Sequence, residues 1–315
     1  MISIVMATYN GETYIREQIN SILNQTISDF ELIISDDCSK DSTVEIIKSY
    51  KDKDKRITLV ENEKNLGFKK NFEKAISYCK GDFIAFCDQD DIWTEDHLEI
   101  LHNEIGDKDL ICGNAELVDQ NGNSMNLTTY QCLSEFDFPG TNTDLFKKLL
   151  YGNFAQGTAL MISNKIVKDF LPIPECAKYH DWWAASIACL QNGCKYTDKI
   201  VLKYRQHGNN QTVTKKYNIF ASIQNALEKK AAIKLEYKEK IAYAEELLKR
   251  TDNPDFVNSI NDAKNYYELL LVKSLKAIKY FKKNYSSIYW VRNPSKKLYL
   301  LRFLRYLFYI FNALL

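Results

Sequence analysis

Between Phe83 and Trp93 the chain reads Phe-Ile-Ala-Phe-Cys-Asp88-Gln89-Asp90-Asp91-Ile-Trp, an apolar run that stops at three carboxylates. The run follows Gly81-Asp82 and predicts a buried strand; if that strand persists, Asp88 and Asp90 share one face. Crowded carboxylates raise one another's pKa. A divalent cation with oxygen ligands, Mg²⁺ or Mn²⁺, removes the conflict. The plainer alternative is a solvated acidic loop at a helix start, for which Asp91 and Thr94 are suitable caps. The motif alone leaves both readings open.

The elements around it narrow the choice. Ile2 to Thr8 reads as a strand running into the polar turn Tyr9-Asn10-Gly11, with no room for a signal peptide before it. A helix is expected from Tyr14 to Asn24, where Ile15, Ile19, Ile22 and Leu23 recur at helical spacing. Phe30 to Ser35 is a second strand and ends in Asp36-Asp37. Ser39, Asp41, Ser42 and Thr43 can cap a helix carrying Val44, Ile46, Ile47 and Tyr50. Ile57 to Val60 predicts a third strand and Asn65 to Cys79 a third helix. Alternating strands and helices predict an α/β fold with a mostly parallel sheet covered on both faces. Such sheets bind ligands at the carboxyl ends of their strands, where all three polar clusters fall.

These residues resemble the inverting nucleotide-sugar glycosyltransferases of family 2, which have the GT-A fold. The resemblance rests on Met6-Ala7-Thr8-Tyr9-Asn10, on Ser35 to Thr43, on Asn65-Leu66-Gly67-Phe68 with Asn71, and on Asp88-Gln89-Asp90-Asp91. It implies that Tyr9, Asn10 and Asp37 line the base and ribose pocket, with Thr8, Asn65, Asp88 and Arg205 also on the donor side. Asp88 and Asp90 would form the DxD element, Asp90 nearest a Mn²⁺ or Mg²⁺ ion. The family's usual wording has Gly where Cys38 stands, a small residue for a small one.

An inverting transfer needs a base for the acceptor hydroxyl, and a carboxylate beside aromatic rings suits that task because desolvation raises its basicity. Asp181, in Tyr179-His180-Asp181-Trp182-Trp183, is the candidate and matches the family's catalytic aspartate; an N-cap is its plainer role. Trp182 and Trp183 are expected to supply core area rather than a sugar platform. In Lys203 to Gln211, Arg205 could neutralise diphosphate and His207 could join Asp88 and Asp90 as a metal ligand through neutral imidazole. His180 is expected to shape the acceptor pocket, and His97 and His102 to lie on a surface helix.

Downstream, Leu110 to Cys112 and Ala115 to Val118 read as short strands, Asn121-Gly122 as a turn, and Asn126 to Asp144 as a polar loop suited to acceptor recognition. Asn153 to Ile162 resembles the family's acceptor-side strand. Tyr179 to Asp181 with Tyr204 to His207 resemble bacterial rhamnosyltransferases of cell-wall or capsular polysaccharide synthesis. That narrower likeness implies L-rhamnose from dTDP-rhamnose moved to a lipid-linked glycan. A UDP-hexose-dependent enzyme of the same fold and a non-catalytic nucleotide-sugar-binding protein are the alternatives. A nucleotidyltransferase would show a Gly-rich basic loop after the first strand, and Thr8 to Glu12 is not one.

The 315 residues allow a catalytic domain over 1–215 and a helical extension over 216–315. The eight cysteines form no Cys-x-x-Cys pair, which fits reduced thiols in a cytoplasmic protein. The net charge of +1 conceals an asymmetry: residues 216–315 hold 19 Lys and Arg against 9 Asp and Glu, a balance of +10 that leaves −9 for the rest. Basic residues mixed with aromatics would suit nucleic acid, but no nucleic-acid motif accompanies them. The inner membrane surface fits better, with Leu298 to Leu315 lying along it rather than spanning it. Packing on the catalytic domain, or a homodimer contact, is the competing use of these helices.

Overall fold

The computed structural model describes residues 1–132, 140–208, 230–272 and 274–289. They belong to two compact units. The first comprises Met1–Cys132, Ala155–Ile173 and Tyr179–Thr214; the second comprises Leu133–Phe154, Pro174–Lys178 and Lys215–Leu315. Two segments that precede residue 215 thus belong with the C-terminal helices.

In chain order the elements are β1 (Ile2–Thr8), α1 (Ile15–Leu23), β2 (Phe30–Asp36), α2 (Thr43–Lys51), β3 (Ile57–Glu61), α3 (Phe68–Ile76), β4 (Phe83–Cys87), β5 (Ile92–Trp93), α4 (His97–Ile105), β6 (Leu110–Val118), β7 (Ser124–Thr128) and α5 (Thr129–Cys132). They continue with α6 (Asn142–Leu149), β8 (Leu160–Ser163), α7 (Val167–Phe170), α8 (His180–Leu190), β9 (Cys194–Arg205), α9 (Lys230–Leu248), α10 (Pro254–Leu271) and α11 (Lys276–Tyr289).

Among the described residues all nine strands lie in one sheet of the first unit, ordered β3-β2-β1-β4-β8-β6-β9-β5, with β7 paired to β6. β1, β2 and β4 are buried along nearly their whole length, as strands covered on both faces must be; β1 pairs in parallel with β2 and β4, and β2 with β3. The parallel expectation holds as far as β4. Beyond it β8 runs antiparallel between β4 and β6, β9 is parallel to β6, and β5 is antiparallel to β9, so the sheet is mixed. Parallel pairs need a crossover connection, and the simple strand–helix–strand alternation ends at β4.

Register brings the polar clusters to one end. Thr8 faces Asp36 across β1–β2, and Met6 faces Cys87 across β1–β4, so Asp88 emerges beside the end of β1. The two short strands expected near Gly113 are one strand, β6, whose pairing with β9 shifts at that glycine. A Cβ on Gly113 would stand 2.6 Å from Val201 Cγ2, so the missing side chain permits the close approach. β9 is longer than the expected Ile200 to Tyr204 because its first half is polar and exposed, which gives no apolar signal.

The polar stretch Asn126 to Asp144 is only partly loop: it holds the end of the exposed strand β7, then α5, and the start of α6, whose Thr141 hydroxyl accepts from Asp144 N at 3.2 Å. Residues 133–139 lie outside the described residues. His97 is a second correction. It is fully buried, stacked on Trp93 with centroids 3.7 Å apart, and its Nδ1 lies 2.9 Å from Val201 O. His102 is exposed as expected. α8 is buried on nearly every side, so Trp182 and Trp183 are core residues; Trp183 Nε1 donates to Phe170 O at 2.8 Å.

In the second unit α10 and α11 close on a tyrosine-rich core of Tyr266, Tyr267, Leu270, Ala277, Phe281 and Tyr285, joined by Tyr151 and Tyr237. Tyr151 and Tyr280 share a hydroxyl hydrogen bond of 2.7 Å. Among the described residues no helix is long and apolar enough to cross a membrane. The basic, aromatic segment 290–315 lies outside them.

Candidate active site

The site is built in the first unit at the carboxyl ends of β1, β2 and β4. Asp36 and Asp37 are both buried and both satisfied. Asp36 accepts from Ser39 N and Oγ at 2.8 and 2.6 Å and from Thr8 Oγ1 at 2.9 Å. Asp37 accepts from Leu66 N at 2.7 Å, Gly67 N at 2.8 Å and Asn62 Nδ2 at 3.0 Å. Asn62 in turn donates to Asn71, whose amide reaches Ser35 O at 2.8 Å. This network fixes the Asn65-Leu66-Gly67 turn onto the end of β2, and Asn65 Nδ2 adds a bond to Asp37 O at 3.3 Å. Thr8 is buried with its hydroxyl spent on Asp36, so it joins strands, while Tyr9 and Asn10, expected on the donor side, are exposed.

Cys38 has φ 68°. This is the left-handed region, which a side chain makes costly by about 1 kcal/mol. The Gly-to-Cys departure therefore has a backbone consequence that side-chain size conceals. The conformation is held by the two pinned aspartates that precede it.

β4 ends at Cys87, so Asp88 to Asp91 bend away and do not share a strand face. Their four side chains take separate directions. Gln89 pairs with the backbone of Tyr9, accepting from its N at 2.9 Å and donating to its O at 3.1 Å. Gly11 makes room: a Cβ there would fall 2.2 Å from Gln89 Oε1. Asp91 turns into the core, fully buried, and accepts from Arg205 N at 2.9 Å. Burial, then the charges of Asp90 and Asp88, pushes its carboxyl well above the usual range. Asp91 is therefore not the helix cap its sequence position suggested; α4 starts after Asp96.

Asp90 Oδ2 lies 2.8 Å from His207 Nε2, and His207 packs on Tyr14 with centroids 5.1 Å apart. Arg205 is 2 % exposed. Its Nε donates to Asp90 O at 2.9 Å, Nη1 to Gln120 O at 3.1 Å, and Nη2 to Glu17, while the guanidinium lies over the Tyr14 ring. Its direct bonds therefore go to the acidic loop, the β6–β7 turn and α1. Glu17 and Gln89, neither singled out from the sequence, complete this scaffold; their partners are too distant in the chain for any local signal.

Asp88 is the member of the cluster left to burial and like charge. Burial of its carboxyl, then the charges of Asp90 and Asp181, pushes it up to about 7. Asp181 is the second residue of α8, after the N-cap position at Tyr179, and its Oδ1 accepts from Trp182 N at 2.6 Å. His180 is buried against Phe86 and Phe72, with centroids 5.2 and 4.4 Å away, and burial lowers its pKa to about 3. Two carboxylates and an imidazole are donors that suit Mn²⁺ or Mg²⁺. Asp90 and His207 are already in contact, and Asp88 feels the charge of Asp90. Among the described residues no three such side chains are drawn together tightly enough to form a metal site on their own.

The sequence profile of glycosyl transferase family 2 matches residues 3–171. The chain belongs to that family. It is 34 % identical to an uncharacterized glycosyltransferase, MJ1057, of Methanocaldococcus jannaschii over 216 residues, 65 % of this chain and 70 % of that one. It is 30 % identical to the dTDP-rhamnosyl transferase RfbG of Shigella flexneri over 249 residues, 73 % of this chain and 83 % of that one. Among solved structures, the mannosyltransferase PcManGT of Pyrobaculum calidifontis, in complex with GDP-Man and Mn²⁺, superposes with a TM-score of 0.55 at 15 % identity, covering 97 % of this chain and 79 % of that one. The family 2 fold and its glycosyltransferase character are thus shared with relatives from archaea and bacteria.

A carboxyl raised in the folded state favours the folded protein while it keeps its proton, and that contribution is lost as pH rises from the unfolded value, near 4, to about 7. Asp88→Asn should therefore melt higher than wild type at pH 8 and close to wild type at pH 4. Thermal unfolding of both proteins across this range, without added metal, measures the difference.

Proposed function

We propose that this family 2 enzyme is an inverting transferase that moves a hexose from a nucleoside diphosphate to a glycan acceptor, with Asp181 as the base. The observation that carries the proposal is the 2.8 Å contact of Asp90 with His207 beside buried Asp88, a carboxyl near enough to both Asp90 and Asp181 for their charges to raise it. Tyr9, Asn10 and the Asp37-anchored turn hold the nucleoside end of the donor. The acceptor hydroxyl attacks the anomeric carbon as its proton passes to the Asp181 carboxylate. The bond from that carbon to the diphosphate oxygen breaks on the opposite face, and the nucleoside diphosphate departs with the electron pair.

Asp90 and His207, with Asp88 behind them, would hold a Mn²⁺ or Mg²⁺ ion, which when bound supplies counter-charge to the diphosphate. Arg205 serves this site by fixing the Asp90 backbone rather than by meeting phosphate itself. The likeness to RfbG favours L-rhamnose from dTDP-rhamnose and a polysaccharide product. A lipid-linked acceptor agrees with the acceptor of another relative, a beta-1,3-glucosyltransferase of Escherichia coli that acts on GlcNAc-diphosphoundecaprenol. The same relative uses UDP-Glc, which keeps a UDP-hexose donor as the second reading.

Asp181→Asn keeps shape and removes basicity, so donor binding should persist while transfer falls by about 10²- to 10⁴-fold. Isothermal titration with the donor, and single-turnover transfer, separate the two effects. A variant transferring at the wild-type rate would remove Asp181 from the chemistry, and retained anomeric configuration in the product would refute single displacement.

Asp90→Ala should abolish transfer, as should excess chelator on wild type, with recovery in the latter on adding Mn²⁺ or Mg²⁺. Full turnover in chelator would end the metal assignment.

The basic, aromatic segment 296–315 is the proposed attachment to an anionic membrane. Lys296, Lys297, Arg302 and Arg305 are interleaved with Leu298, Leu301, Phe303, Leu304 and Phe308, a pattern that lets charges stay at headgroups while apolar groups bury. Removing 296–315 should release the protein from phosphatidylglycerol vesicles in sedimentation while leaving transfer to a soluble acceptor intact. Equal sedimentation of the two proteins would favour the packing or dimer role.

A further inference from the structure

The wall beside Asp181 holds polar groups that the scaffold leaves unused. Gly157 sits where His180 and Asp181 meet: a Cβ there would stand 2.9 Å from His180 Nε2 and 3.7 Å from Asp181 Oδ2. The preceding residue, Gln156, is fastened by its backbone, with N donating to Cys112 Sγ at 3.5 Å and O accepting from Ala159 N at 3.0 Å. Cys112 itself feels the charge of Asp181. Yet the side-chain Nε2 and Oε1 of Gln156 are both buried without a hydrogen-bond partner, and so are both ring nitrogens of His180, a residue 6 % exposed.

A buried amide with neither end paired costs stability and calls for a physical reason. Its own chemistry supplies one: an amide offers a donor and an acceptor side by side, and a neutral imidazole offers the same pair. A sugar hydroxyl, at once donor and acceptor, complements both. We propose that Gln156, adjacent in the chain to the glycine that meets His180, acts together with that histidine to read a hydroxyl of the hexose held next to Asp181, and so determines which sugar is accepted there.

The inference rests on the proposed transfer and deepens it. The hydroxyl belongs either to the sugar being transferred or to the acceptor, and two measurements separate these sources. UDP-glucose and dTDP-L-rhamnose are offered first, and the one that wild type cleaves is kept as the probe. With it, Gln156→Leu should lower kcat/KM by about tenfold to a hundredfold, the loss expected of one or two substrate hydrogen bonds. Its melting temperature should equal or exceed that of wild type, because an unpaired amide has been removed. If the donor sugar is read, the loss appears already in donor hydrolysis without acceptor; if the acceptor is read, hydrolysis is unchanged and the acceptor KM rises.

Deoxyfluoro analogues give a readout that a packing role would not move. Wild type should reject the analogue altered at the recognised position, and Gln156→Leu should treat it like the parent sugar. His180→Phe, which keeps the ring against Phe72 and Phe86, should lose discrimination at the same or the adjacent hydroxyl. Wild-type kcat/KM and unchanged discrimination in both variants would overturn the proposal and leave the amide to a buried water. Failure of wild type to cleave any nucleotide sugar would instead strike the proposed function.

Discussion

The catalytic unit depends on one constraint: five aspartates, 36, 37, 88, 90 and 91, must be kept at one end of a sheet whose interior is apolar. Carboxylates taken out of water are tolerated only when paired, hydrogen-bonded or protonated. The fold uses a different answer for each. Asp36 and Asp37 are surrounded by amide and hydroxyl donors from their own and adjacent turns. Asp90 meets an imidazole, and Asp91 takes a backbone N–H from the end of β9. Asp88 is left with burial and like charges, which is why its carboxyl holds its proton so far up the pH scale.

Arg205 joins these separate answers. Its backbone serves Asp91, its guanidinium serves the Asp90 carbonyl, and the remaining donors reach Glu17 and Gln120. An arginine whose five N–H groups lie in a rigid plane can bridge three elements at once; a lysine has the charge but not the fork. His207, two residues on, inherits its position from this anchor. The acidic loop and the imidazole are consequently placed by the same residue, which ties the geometry of the metal-binding candidates to the closure of the sheet's far edge.

Much of this architecture was legible locally. The apolar runs of β1, β2 and β4, and the acids that end them, are properties of short segments, and the strand–helix alternation up to β4 follows from periodicity alone. What escaped depends on residues far apart in the chain. Gln89 pairs with Tyr9, 80 positions away, and Arg205 with Glu17, 188 positions away. The insertion of β8 between β4 and β6 has no local sign, since its three apolar residues and a serine pair equally well in either direction. His97 looked like a surface residue because its helix begins in polar residues, but Trp93 and the β9 backbone enclose it. Cys38 matched its neighbours in size, and only the backbone dihedral exposes why glycine is the usual choice there.

The contrast between satisfied and unsatisfied polar groups separates residues that build this unit from residues able to act in it. The cluster at the end of β2 is nearly as acidic as the one after β4, but every carboxylate oxygen there already has a donor, and these bonds hold its turns in shape. Around Asp181 the balance reverses: Asp88 resists ionisation, Gln156 and His180 have buried polar atoms with no partner, and the missing side chain of Gly157 lets His180 and Asp181 meet. An apolar side chain at 88, 156 or 180 would remove the unpaired polar group it replaces, so the fold alone supplies no reason for these three. A substrate that brings hydroxyls and a charged leaving group supplies all of them together, at the one place where the candidate base stands.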